Sequence, residues 1–140
     1  MASSVWLPGE KVGGYALVAP VARGGMGEVW LARELAPDRP PRTVVVKRLL
    51  EHLDGEGRYA HMLLDEARIA AQLHHPHIVQ LLALGRDEDS FFLVMEHLDG
   101  ENLSVALRRA RSRGLPLSPE CVAYVGAQIA RALTRTPRST

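Results

Sequence analysis

The chain has 140 residues, with 17 basic and 16 acidic side chains and one cysteine. That length allows one domain with a modest core. The near-zero net charge leaves no electrostatic footprint for nucleic acid, and the lone Cys121 excludes an internal disulfide framework and fits a reducing compartment. No apolar run reaches the roughly 18 residues that a membrane helix needs. The first nine residues lack a basic stretch followed by an apolar one, so they do not read as a signal peptide.

Residues 1–14 hold a proline, three glycines and mixed polar residues, and read as an irregular lead-in. Tyr15 to Val21 is apolar and is expected to be a first strand, weakened at its end by Ala19-Pro20. Gly24, Gly25 and Gly27 then make a turn, and Gly27 to Arg33 alternates as a second strand. Pro37-Asp38-Arg39-Pro40-Pro41 is a loop. Thr43, Val44, Val45 and Val46 are all β-branched, so a third strand is expected over Arg42 to Leu50.

After a loop or frayed stretch over residues 51–58, the period changes. Met62, Glu66, Ile69, Ala70 and Leu73 recur at helical spacing, which predicts a helix from Tyr59 to Leu73. His74-His75-Pro76 ends it. Ile78 to Leu84 reads as a fourth strand closed by Gly85, and Phe91 to Glu96 as a fifth, across the charged turn Asp87-Glu88-Asp89-Ser90. A short helix with a basic outer face is expected over Leu103 to Arg111. Ser118-Pro119 is a cap followed by proline at the first helical position, so a last helix runs from about Glu120 to Leu133. Its stripe is Val122, Val125, Ile129 and Leu133, and Cys121 beside it reads as a buried small hydrophobe. Residues 134–140 have no apolar pattern and read as a disordered tail.

The chemistry gathers on Val21-Ala22-Arg23-Gly24-Gly25-Met26-Gly27-Glu28-Val29-Trp30. Glycines there allow close backbone approach, and adjacent amides in such a turn can face an anion. A dinucleotide fingerprint would need these glycines between a strand and a helix, and a Walker A loop would need Gly-Lys-Ser/Thr. Here they lie between two strands, and no Gly-Lys follows. Only Lys11 and Lys47 are lysines, against 15 arginines, and Lys47 sits inside the β-branched run. A lysine there is costly to bury unless paired, and Glu66 lies on the apolar face of the one long helix able to cross such a sheet. The plain alternative is two snorkelling or exposed charges. His61, His74, His75 and His77 lack cysteine partners and metal-site spacing, and helix termination accounts for them. The run Arg108, Arg109, Arg111 and Arg113 reads as a solvated helix face.

From about residue 15 to 133 the chain resembles the bacterial eukaryotic-like serine/threonine protein kinases. The signals are Arg23 to Trp30 as nucleotide loop, Val44-Val45-Val46-Lys47 as third-strand lysine motif, and Glu66 as C-helix glutamate. His75-Pro76-His77-Ile78-Val79 and Leu93-Val94-Met95-Glu96-His97-Leu98 follow in the family's order. The resemblance implies an α+β fold: a kinase-like N-lobe of five antiparallel strands plus a C-helix, then the first helices of a truncated helical C-lobe. It implies a lead-in over 1–14, the N-lobe and hinge over 15–98, and the start of the C-lobe over 99–133.

By the same resemblance ATP is the ligand. Val21, Ala22, Arg23, Gly24, Gly25, Met26, Gly27 and Val29 would form its loop. Val45 would line the adenine slot, and Lys47 would bind the phosphates, held by Glu66. Met95 would be gatekeeper, with Glu96 and Leu98 offering main-chain groups to adenine. Two positions depart from the pattern. Ala22 stands where the family's first loop glycine belongs, and Val45 where its alanine belongs. The 140 residues contain no His-Arg-Asp and no Asp-Phe-Gly, so the protein ligands of Mg²⁺ and the proton acceptor are missing. The expected activity is transfer of the γ-phosphoryl of Mg-ATP to Ser/Thr hydroxyls by the intact enzyme. The alternative is a catalytically dead fragment, or a pseudokinase-like nucleotide-binding or interaction module. Partners would be ATP and protein substrates, without nucleic acid. The expected location is cytoplasmic, with membrane anchoring only through a further region of the intact kinase.

Overall fold

β-branched and aromatic residues crowd the first half of the chain, and there they form a sheet. The computed structural model describes residues 6–24, 27–49, 58–87 and 90–134, without the side chains of Leu49, residues 58–63 and Glu66. Its strands are β1 (Lys11–Val12), β2 (Tyr15–Gly24), β3 (Gly27–Glu34), β4 (Thr43–Leu49), β5 (Leu81–Asp87) and β6 (Ser90–Glu96). They lie in the order β1-β2-β3-β4-β6-β5, every neighbouring pair antiparallel. The helices are α1 (Arg58–Ala71), α2 (Leu103–Ser112) and α3 (Pro119–Thr134), and α1 packs on β5. The expected loop over 51–57 and the tail beyond Thr134 lie outside the described residues.

The expected five strands and crossing helix are present, and a sixth strand is added by the lead-in. β1 pairs Lys11 with Ala16 and Val12 with Tyr15. Ahead of it Gly9 N–H donates to the Leu17 carbonyl, and Leu17 N–H to the Glu10 carbonyl, both at 2.8 Å. Trp6 and Val12, both 1% exposed, are thus core residues rather than part of an irregular segment. They join Leu17, Trp30, Ala32, Val44, Val46, Phe92 and Val94 on one face of the sheet. Fully burying a side chain of this kind contributes about 1.5–3 kcal/mol.

Period two explains the split between the faces of β4. Val44, Val46 and Arg48 are buried on the core face, while Val45 and Lys47 are half-buried on the other. Arg48 is a charge at 3% exposure, and it is held by several partners. Its Nε and Nη2 donate to Ser90 Oγ at 3.4 and 3.2 Å, and its guanidinium lies 5.0 Å over the Trp6 ring. Trp6 Nε1 in turn donates to Asp87 Oδ2 at 3.4 Å.

Pro20 does not end β2, which runs on to Gly24. The two-residue β1 leaves the outer edge of β2 without a ladder at that point, so the missing N–H costs nothing there. The strand instead absorbs register shifts between Leu17 and Ala19 and between Pro20 and Ala22. α1 stops at Ala71 rather than Leu73, its end tightened by i→i+3 bonds from Gln72 and Leu73 N–H. Ile78 N–H is taken by the His75 carbonyl in a turn, so β5 begins only at Leu81.

Gly85 lies inside β5 instead of closing it, and the reason is Phe92. A Cβ on Gly85 would stand 2.2 Å from the Phe92 ring. Gly85→Ala is therefore expected to destabilise by about 1–3 kcal/mol, through a displaced ring in a packed core. A lowered denaturant midpoint with an unchanged m-value checks this.

Two compact units are distinguished: Met1–His74 with Gln80–His97, and His75–Val79 with Leu98–Thr140. In the second, Asn102 caps α2 by accepting from Val105 N–H at 2.9 Å. Ser118 caps α3 by accepting from Cys121 N–H at 3.3 Å. Cys121 is exposed, not buried as the apolar helix suggested, as is most of α3 along its length. Val122, Tyr124, Ile129 and Leu133 of α3 are more than half exposed. Among the described residues no helix is long and apolar enough to cross a membrane.

Candidate nucleotide site

Strand pairing assembles the site face. Across β3, β4, β6 and β5 one row reads Val29, Lys47, Leu93 and Leu84. The next reads Leu31, Val45, Met95 and Leu81. Val29, Val45, Lys47 and Met95 are all half-buried there, on the face turned away from the tryptophan core. One cation among apolar neighbours suits a ligand with a flat apolar part and an anionic part.

The glycine hairpin lies at one end of these rows. Gly24 pairs with Gly27, Arg23 with Glu28 and Ala22 with Val29. Gly25 and Met26, between the paired glycines, lie outside the described residues. Gly27 has φ 141°, a conformation that side chains rarely adopt, so the turn needs glycine at that position. Lys47 is opposite Val29, two residues along β3 from Gly27. At about 3.4 Å per residue, Lys47 lies some ~7 Å of strand from the hairpin's end. A long flexible ammonium side chain spans that distance.

Other predicted residues are placed less simply. Val21 sits at the register shift of β2 and is 62% exposed, outside the two rows. Arg23 turns its guanidinium to the opposite face, where Nη2 lies 2.6 Å from Glu28 Oε1. What Arg23 can offer a ligand beside Lys47 is therefore main chain. Glu66 lies in α1 next to the buried Ala67, and its side chain is outside the described residues. Glu96 closes β6: its N–H donates to the Gln80 carbonyl at 3.0 Å and its carboxylate accepts from Gln80 N–H at 2.8 Å. With its amide so engaged, the main-chain group it can offer a ligand is the carbonyl. Leu98, in the second unit, is 59% exposed. Among the described residues no three His, Cys, Asp or Glu side chains gather as a metal site.

The sequence reading places Glu28 on the second strand and gives it no role. It is 8% exposed, and its Oε2 accepts from Trp30 Nε1 at 3.2 Å. The signal was present in the alternation: Glu28, Trp30 and Ala32 share the buried face of β3.

A family model described as protein tyrosine and serine/threonine kinase matches residues 16–135. The chain belongs to that kinase family. It is 47% identical over 101 residues to the tyrosine-protein kinase MasK of Myxococcus xanthus, covering 72% of this chain and 16% of MasK. It is 34% identical over 125 residues to the serine/threonine-protein kinase PknF of Mycobacterium tuberculosis, covering 89% of this chain and 25% of PknF. The crystal structure of the M. tuberculosis PknI kinase domain matches with a TM-score of 0.72 at 25% identity, over 92% of this chain and 49% of that one. The chain thus spans a quarter or less of these two curated kinases and about half of that solved kinase domain. Its architecture is a kinase N-lobe, antiparallel sheet plus C-helix, followed by helices of the C-lobe.

Proposed function

We propose that this chain is the ATP-holding part of a protein kinase that moves the γ-phosphoryl of Mg-ATP to serine or threonine hydroxyls. The observation that carries the reading is Lys47 in the row Val29–Lys47–Leu93, beside the end of the glycine hairpin. Gly24 to Gly27 would bring main-chain donors to the phosphates, and Lys47 would add a point charge to the α- and β-phosphates. Val29 and Val45 would cover the adenine, with Met95 at the back and main-chain groups of Glu96 and Leu98 at its edge. Glu66 would hold Lys47. In this reading residues 15–98 are the N-lobe and hinge, and 99–133 begin the C-lobe.

The acceptor hydroxyl rests on relatives, whose names include a tyrosine kinase as well as serine/threonine kinases. Mg²⁺ would come with the triphosphate; the described residues offer no carboxylate cluster that fits it. The groups that accept the substrate proton in this family are not among these 140 residues. The chain itself is therefore proposed to bind nucleotide, and transfer belongs to a protein carrying those groups.

Calorimetry of the 140-residue protein with ATP and with adenosine tests this reading. Saturable ATP binding, tighter than adenosine because of the phosphates, is expected. A folded protein that takes up no ATP at millimolar concentration overturns it.

A further inference from the structure

The face of the sheet opposite Lys47 carries a cleft of about 370 Å³ for which the nucleotide reading has no use. A volume of that size suits a small molecule. Trp6, Trp30 and Glu28 lie deepest, at 1%, 4% and 8% exposure, while Leu7, Pro8 and Pro20 form exposed apolar walls. All of them belong to the first compact unit.

Glu28 is the unusual member, because a carboxylate is rarely so buried unless paired. Its two partners differ in kind. Oε2 accepts from Trp30 Nε1 at 3.2 Å, which fixes the carboxylate to the core. Oε1 lies 2.6 Å from Arg23 Nη2, on a side chain that is 66% exposed. The Arg23 guanidinium has no other partner among the described residues. So exposed an ion pair contributes little, and the guanidinium can swing out to water at small cost. Further carboxylates hold the lining. Glu10 Oε2 accepts from Leu7 N–H at 2.9 Å, and Asp87 Oδ2 from Trp6 Nε1 at 3.4 Å. Against them stands Arg48, over the Trp6 ring.

We propose that this cleft binds a small organic cation, a guanidinium or ammonium on an apolar body, which takes the place of the Arg23 guanidinium on Glu28. Arg23 is then the cleft's own occupant and the ligand's competitor. The apolar body loses water against the prolines and indoles, and aromatic rings favour a cation beside them. An anion in the same place would face Glu28, with Glu10 and Asp87 bonded to the lining around it.

Four probes test the site. Benzylguanidinium, phenylacetate and benzyl alcohol share a ring and differ in charge, and N-acetylarginine amide carries the guanidinium without the ring. Each is titrated into the 140-residue protein, and NMR follows the indole N–H signals of its two tryptophans, both of which line the cleft. Benzylguanidinium should bind saturably at millimolar concentration, and more tightly than the other three. Arg23→Ala should tighten it roughly fivefold, the factor for an ion pair at the upper end of the exposed range. Glu28→Gln keeps an acceptor for Trp30 and should weaken it roughly tenfold, with the Val46 and Val94 amide signals as the check on folding. If that variant unfolds, Arg23→Ala decides alone, since it alters an exposed side chain. Unchanged or weaker binding to Arg23→Ala overturns the proposal, as does unchanged binding to a folded Glu28→Gln. So would a preference for phenylacetate, equal affinity for the three ring probes, tighter binding of N-acetylarginine amide, or no saturable shift in a folded protein.

Discussion

Replacing Trp6 with alanine is expected to remove about 3–5 kcal/mol of stability, the range for emptying a large aromatic site in a core. The indole is 1% exposed and packs edge-on to Phe92, with ring centroids 6.4 Å apart. It is also the face on which the buried Arg48 guanidinium rests, 5.0 Å from the ring centre. Alanine leaves a cavity and leaves that charge beside it with less compensation, so the loss exceeds the transfer energy alone. For a unit of this size, Tm should fall on the order of 10–30 °C. Trp6→Phe keeps a ring over Arg48 but loses the bond to Asp87, and should cost less. Thermal unfolding followed by far-UV circular dichroism reads the effect. A change within about 0.5 kcal/mol, typical of a surface substitution, would mean that the N-terminal segment is not part of the core.

Lys47→Met is expected to weaken ATP binding by roughly tenfold or more, from the loss of charge-assisted bonds of about 1.5–3 kcal/mol. Methionine keeps the length and apolar stem of the side chain, and Lys47 is only half-buried, so the sheet should keep its stability. Adenosine has no phosphate and should bind the variant as it binds the parent. The ratio of the two affinities isolates the charge from the pocket. Equal loss for ATP and adenosine would assign Lys47 a structural part in the sheet instead.

Much of the sheet was legible because its strands announce themselves locally. Thr43 to Val46 are four β-branched residues in a row, and Glu28, Trp30 and Ala32 alternate cleanly. The spacing of Met62, Glu66, Ile69 and Ala70 likewise marked α1. The failures share a different cause: each depends on a partner distant in sequence. Trp6 looks like one aromatic in a Gly/Pro-rich segment, and only contact with Phe92 and Arg48 makes it core. Gly85 looks like a strand breaker until the Phe92 ring fills the place of its side chain. The burial of Arg48 likewise depends on Ser90, 42 residues on, and on the Trp6 ring.

For the candidate site, the residue types were readable and their juxtaposition was not. Nothing local says that Lys47 stands between Val29 and Leu93, or Val45 between Leu31 and Met95. Those neighbours follow from the strand order, in which β4 pairs with β6 rather than β5. Glu28 was legible as a strand residue, but its burial was not: a carboxylate is rarely buried unless paired, and its partner Arg23 lies on the neighbouring strand.

The central claim is that the face bearing Lys47, next to the glycine hairpin, holds ATP. Backbone amide chemical shifts of the 140-residue protein, followed by NMR as ATP is added, test it most directly. Saturable changes should concentrate at Gly24, Gly27, Val29, Val45, Lys47 and Met95, and be small at Val12 and Leu17 on the core side. Saturable shifts centred on the opposite face, around Val12, Leu17 and Trp30, or no shifts at all in a folded protein, would contradict it.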